Sequence, residues 1–90
     1  TRSAEDERNV SVTLGLDGAL RLDRQPVRPD GLRAALRARL AQPDGARLLV
    51  VVRADAGVPY EKVDRVLEEA RRAGAQRLAL ATRQKAERRR

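Results

Sequence analysis

The sequence predicts a two-layer α/β sandwich: a mixed four-stranded sheet with two helices on one face, in the order ββαβαβ. Three observations carry that expectation. Val10, Val12 and Leu14 alternate with Ser11 and Thr13, the period of a strand with one buried face. Two later stretches repeat their apolar residues at helical spacing. The unbroken apolar run Leu48–Val52 is followed by one of those helices and then by a strand, a crossover that makes the two strands parallel. Two helices against such a sheet give two layers around one core.

The elements follow in order. Residues Thr1 to Asn9 hold five charges and no large apolar residue, so they read as a flexible linker. After the first strand, Asp17-Gly18 marks a tight turn, and Leu20 and Leu22 supply the returning strand. Arg28-Pro29-Asp30 opens the first helix, because proline loses no needed donor there and Asp30 suits the positive end of the dipole. Leu32, Ala35, Leu36 and Leu40 form its apolar stripe, and Pro43-Asp44-Gly45 stops it. Leu48–Val52, short and rich in valine, is expected as the central strand, buried on both faces. Val58-Pro59 opens the second helix, with Tyr60, Val63, Val66, Leu67 and Ala70 on one face and Gly74 closing it. Arg77–Thr82 is the last strand. Arg83–Arg90, with five positive charges and one negative, reads as a basic disordered tail.

Composition narrows the function classes. The 90 residues contain no His and no Cys, which removes thiol nucleophiles, Ser-His-Asp relays and the usual zinc sites. Apart from Tyr60 the hydrophobic residues are Leu, Val and Ala. No apolar run approaches the roughly 18 residues of a membrane helix. The net charge of +7 divides into −1 on the linker, +4 on residues 10–82 and +4 on the tail, so no single face concentrates it. Thr1 stands where an initiator methionine would, and the chain is read as a processed or cut piece whose upstream part is absent.

One segment stands out chemically. Arg53 and Asp55 sit at the carboxyl end of the central strand, beside Tyr60, the one aromatic residue. Strand ends opposite helix starts are where α/β folds bind ligands. The competing reading pairs Arg53 with Asp55, or uses them as helix caps, and leaves Tyr60 to packing.

Taken in order, Arg53-Ala54-Asp55 ending a hydrophobic strand, Val58-Pro59-Tyr60 opening a helix that closes with Ala73-Gly74, and the Arg77–Thr82 strand resemble the periplasmic domain of the ExbD/TolR family. Val10-Ser11-Val12-Thr13, the Asp17-Gly18 turn and Gln25-Pro26-Val27 before the first helix fall in the family's order, so the resemblance spans residues 10–82. It implies a subunit of a proton-driven motor, single-pass in the bacterial inner membrane, with this domain in the periplasm and an ExbB/TolQ-like membrane subunit beside it. The proton-linked Asp of the family would lie upstream of Thr1. ExbD-like members act on a TonB-like transducer, TolR-like members on a TolA-like protein and peptidoglycan, and others are gliding-motility stators. Arg53-Ala54-Asp55 leans toward ExbD and Leu80-Ala81-Thr82 toward TolR.

The resemblance also implies a homodimer and no cofactor. Capture of an extended partner segment by strand addition would use Leu78, Leu80 and Thr82, with Arg53, Asp55 and Tyr60 nearby. A nucleic-acid-binding module is the outside class: the charge permits it, but the sheet has no aromatic stacking platform. Catalysis would have to use Asp, Glu, Lys, Arg, Tyr or the few hydroxyls, and Asp55, Glu61 and Asp64 cluster after the central strand as a candidate carboxylate pair. Glu61 with Arg65 and Glu68 with Arg72 are spaced as helix-surface pairs instead, so no enzyme is expected.

Overall fold

The structure, a computed structural model, describes residues 9–43 and 45–82. The expected tail and all of the expected linker except Asn9 lie outside the described residues. Asn9 itself begins the first strand, β1 (Asn9–Leu14), which is followed by β2 (Leu20–Leu22), β3 (Gln25–Val27), α1 (Leu32–Leu40), β4 (Leu49–Ala54), α2 (Tyr60–Ala73) and β5 (Arg77–Thr82). The sheet runs β3-β2-β1-β4-β5. The hairpin strands β1, β2 and β3 are antiparallel neighbours, whereas β1, β4 and β5 are parallel.

The hairpin forms as its residues dictate. Gly18 adopts φ +87, a value L side chains avoid. The Gly15 N–H donates to Ala19 O at 3.0 Å, and Asp17 Oδ1 accepts from the Ala19 N–H. The first helical turn is 3₁₀, Pro29–Gly31, with extended Arg28 before it. α2 ends at Gly74, φ +109, where the N–H groups of Gly74 and Ala75 donate to Arg71 O and Ala70 O.

Two expectations are corrected. The sheet has five strands, not four, and the order is βββαβαβ: Gln25-Pro26-Val27, expected as a connector, is the edge strand β3. A turn at Asp23, held at φ +57, folds the chain straight back onto β2. A proline is tolerated there because the edge lacks an outer partner. The second correction concerns β4. Its pattern alternates, Val50, Val52 and Ala54 being buried while Leu49 and Val51 are half-exposed and Arg53 is exposed. Both helices lie on one face, and the other face has no covering layer among the described residues.

The core is one cluster in which Val10, Val12, Leu14, Leu20, Leu22, Val50 and Val52 meet Leu32, Leu36, Val63, Val66 and Ala70. Each fully buried Leu or Val contributes about 1.5–3 kcal/mol. The helices are also tied by a forked pair, Arg33 Nε to Glu69 Oε1 at 2.8 Å and Arg33 Nη2 to Glu69 Oε2 at 3.1 Å. Of the two surface pairs expected on α2, Glu68 with Arg72 forms, at 3.3 Å, and Glu68 also reaches Arg71. Glu61 with Arg65 is not seen among the described residues.

Asp23 clips three elements together. Its carboxylate accepts from the Ser11 N–H of β1 at 3.0 Å and from Arg39 of α1 at 2.7 Å. Partial burial pushes its pKa up, but the Ser11 N–H and the Arg39 guanidinium outweigh that and hold it below the usual carboxylate range. A lowered folded pKa adds stability above the unfolded value, roughly 4, and that stability disappears as the pH falls through the folded value. Asp23→Asn is therefore expected to lower the melting temperature at pH 7 by up to about 5 °C, the pair being half-exposed and worth at most about 1 kcal/mol. Melting curves recorded from pH 7 downward check this: the difference between variant and wild type should shrink as the pH falls below the unfolded value and vanish once it is below the folded one.

Candidate functional site

The two edges of the sheet differ. β3 is three residues long and carries Pro26, a guarded edge. β5 is six residues, Arg77-Leu78-Ala79-Leu80-Ala81-Thr82, with no proline and one charge at its start. Among the described residues it is the long, unguarded edge.

Which β5 residues face outward follows from hydrogen-bond parity. The Asp55 N–H donates to Leu14 O across the parallel β1/β4 pair, so odd residues of β4 turn their main-chain groups toward β1 and even ones toward β5. With Val50 opposite Leu78 and Val52 opposite Leu80, the bonds to β4 are made by Arg77, Ala79 and Ala81. The N–H and C=O of Leu78 and Leu80, and by the same alternation those of Thr82, point to the free edge. Their amides are thus expected to exchange fast in the dilute domain, while those of Ala79 and Ala81 exchange slowly. Residue-resolved hydrogen exchange checks this, and raising the protein concentration should protect Leu78 and Leu80 if two copies pair there.

The side chains of Leu78 and Leu80 lie on the helix side of the sheet, in register with buried Val50 and Val52. Along α2, Val63, Val66, Ala70 and Ala73 face the core and Glu69 reaches α1. At about 100° per residue, Tyr60, Asp64, Leu67 and Arg71 occupy the opposite flank, on the β5 side. Leu78 and Leu67 are half-buried there, whereas Leu80 is 45% and Tyr60 70% exposed. An apolar strip thus runs beside the open main-chain row.

Strand register therefore puts Leu78 and Leu80 on the helix side of β5, with Tyr60 on the flank of α2 turned toward that edge, and separates Arg53 from them. Arg53, opposite Thr13 and Ala81, stands on the helix-free face. Asp55 lies in the exposed turn after β4, where its carbonyl accepts from the Val58 N–H at 3.1 Å. Arg53 and Asp55 are not ion-paired with each other, and neither joins any ion pair among the described residues. Tyr60 is exposed rather than packed, so the structure supports neither part of the competing reading, pairing or packing.

Two apolar residues escaped notice as candidates. Leu67 reads as a core residue from spacing alone, yet it falls seven positions after Tyr60 and so shares its flank. Leu16, 67% exposed in the hairpin turn, lies over Gly57 and joins the carboxyl ends of β1 and β4. Nothing here resembles a metal centre: the described residues hold no group of three or more His, Cys, Asp or Glu placed to share an ion. No helix among them is long and apolar enough to cross a membrane.

Comparison with known proteins agrees with the order of motifs along the chain. No curated protein matches it significantly. The family model for the biopolymer transport protein ExbD/TolR matches residues 1–85, nearly the whole sequence, and the chain belongs to the ExbD/TolR family of biopolymer transport proteins.

Proposed function

We propose that this domain is the periplasmic part of an ExbD-like energy-coupling subunit, which captures an extended segment of a TonB-like transducer by adding it as a sixth strand at β5. Members of the family are membrane-anchored energy-coupling subunits with periplasmic domains, working with ExbB/TolQ and TonB/TolA proteins. On this reading an ExbB/TolQ-like subunit adjoins the membrane anchor and conducts protons with it, driven by the proton motive force. The domain described here binds and transmits, with no catalytic step of its own. The observation that carries the reading is the outward main-chain row of Leu78 and Leu80 on the one long, unguarded edge, with Tyr60, Leu67, Leu78 and Leu80 forming a strip for alternate side chains of the incoming strand. Main-chain bonds then supply affinity and the strip supplies selectivity. Homodimerisation would pair two β5 edges about a two-fold axis, so partner segment and second copy compete for one surface.

Titration of labelled domain with peptides from the periplasmic linker of a TonB-like protein tests this. Amide shifts are expected to centre on Leu78–Thr82 and on Tyr60 and Leu67. Peptides that bind elsewhere, or none that shift this edge, would sink the assignment. TolA-like peptides and a peptidoglycan pull-down run alongside would reveal a TolR-like subunit instead.

A further inference from the structure

We propose that the helix-free face of the sheet docks an acidic amphipathic helix of a partner protein, giving the domain a second interface distinct from the β5 edge. Parallel strands are almost always covered on both faces, yet among the described residues the parallel set β1, β4, β5 is covered on one only. Its open face presents Leu49 and Val51 of β4 beside Ala79 and Ala81 of β5. A missing third layer of helix is the simplest complement to such a face.

Charge selects the occupant. Strand register places Arg21, Arg53 and Arg77 on this face, Arg21 and Arg53 flanking Thr13 from either side. None of the three is ion-paired among the described residues, and Arg77 donates only to Arg47 O, at 3.1 Å. No strand residue in register on this face is Asp or Glu. Asp23, at the end of β2, is taken up by the Ser11 N–H and Arg39, and Asp55 lies beyond the strand. A second copy applied to this face would set arginine against arginine. Nucleic acid would find no aromatic platform on it.

The spacing sets the ligand's pattern. Arg53 is opposite Ala81, four residues along β5 from Arg77, a separation of roughly 13 Å. A helix covers that in about nine residues, so carboxylates two and a half turns apart would meet both guanidinium groups. The apolar stripe between them would lie on Val51, Leu49 and Ala79, and the small alanines allow a close approach.

The probe is a synthetic 18-residue amphipathic peptide with Leu and Ala on one face and Glu at its borders, added to labelled domain. Saturable amide shifts are expected at Val51, Arg53, Thr13 and Ala79. Affinity should fall at least tenfold in the Arg21→Glu, Arg53→Glu double variant, checked for folding by its thermal melt, and should be unchanged in Leu80→Pro. If the double variant fails to fold, the wild type in low and high salt decides, with a Lys-for-Glu peptide as comparison. The proposal is overturned if the acidic peptide leaves this face unshifted, or binds equally with Lys in place of Glu or in the double variant. It is also overturned if phosphatidylglycerol vesicles or single-stranded RNA produce the shifts and the peptide does not. Because the β5 edge is blocked in Leu80→Pro, loss of that edge's binding and loss of this one are read separately.

Discussion

Leu80→Pro is expected to weaken capture of an extended partner segment by tenfold to a hundredfold while the domain stays folded. The main-chain N–H of Leu80 points away from β4, so the ladder that holds β5 in the sheet loses no donor. Proline is found in just such edge positions, where its missing N–H would have faced solvent. Ala79, the preceding residue, is already extended, as a residue before proline prefers. The cost to the fold is then about 1 kcal/mol, the span of strand propensities.

Docking suffers more, because the incoming strand keeps a carbonyl with no donor, worth about 1–3 kcal/mol when buried, and meets the ring besides. Leu80→Ala separates the two contributions: it keeps the N–H and loses only a half-exposed side chain, so its effect should be severalfold at most. Isothermal titration with the same peptide against both variants makes the comparison. If Leu80→Ala and Leu80→Pro weaken binding equally, main-chain pairing is not the mode of capture. If Leu80→Pro also disperses a β5-paired dimer, partner and second copy share the edge.

How far the fold could be read in advance depends on how much of each element's cause is local. The β1–β2 hairpin, both helices and the closing Gly74 have local causes: alternation, apolar stripe, a glycine at positive φ. β3 has none. Three residues with a proline show no period, and its turn rests on Asp23 in a left-handed conformation stabilised by distant Ser11 and Arg39. The run Leu48–Val52 misleads for a related reason: five apolar residues in a row hide which of them the helices cover. Leu78, Leu80 and Tyr60 can be placed on their elements from sequence because a terminal strand and a helix start are both visible there. That Arg53 parts from them is a consequence of register, which only the assembled sheet decides.

Gly45→Ala is expected to be the most damaging single-atom addition in the domain, lowering stability by about 3 kcal/mol or more. By sequence Gly45 is one of several residues that stop a helix, and a small side chain would serve as well. The structure gives it a different task. Its N–H donates to Gln42 O at 2.7 Å and its carbonyl accepts from the Leu48 N–H at 3.1 Å, folding the chain tightly against the end of α1. A Cβ here would overlap the main-chain carbonyl of Leu40. A side chain could swing aside, but a backbone at the end of a helix anchored by buried Leu32 and Leu36 cannot move without opening the core. Relief would come only by unwinding the last turn of α1 or displacing the entry to β4, whose register sets that of β5. A loss of this size corresponds to a fall in melting temperature of at least about 12 °C for a domain of this length. Gly31→Ala is the control: nothing lies within 4 Å of its added Cβ and its φ is −102, so its melting temperature should stay within about 3 °C of wild type. Equal melting of the two variants would mean that the tight passage between α1 and β4 is not closed as described. A fall confined to Gly45→Ala, accompanied by weaker peptide capture at β5 below the melting point, would tie the edge's readiness to the packing of that connection.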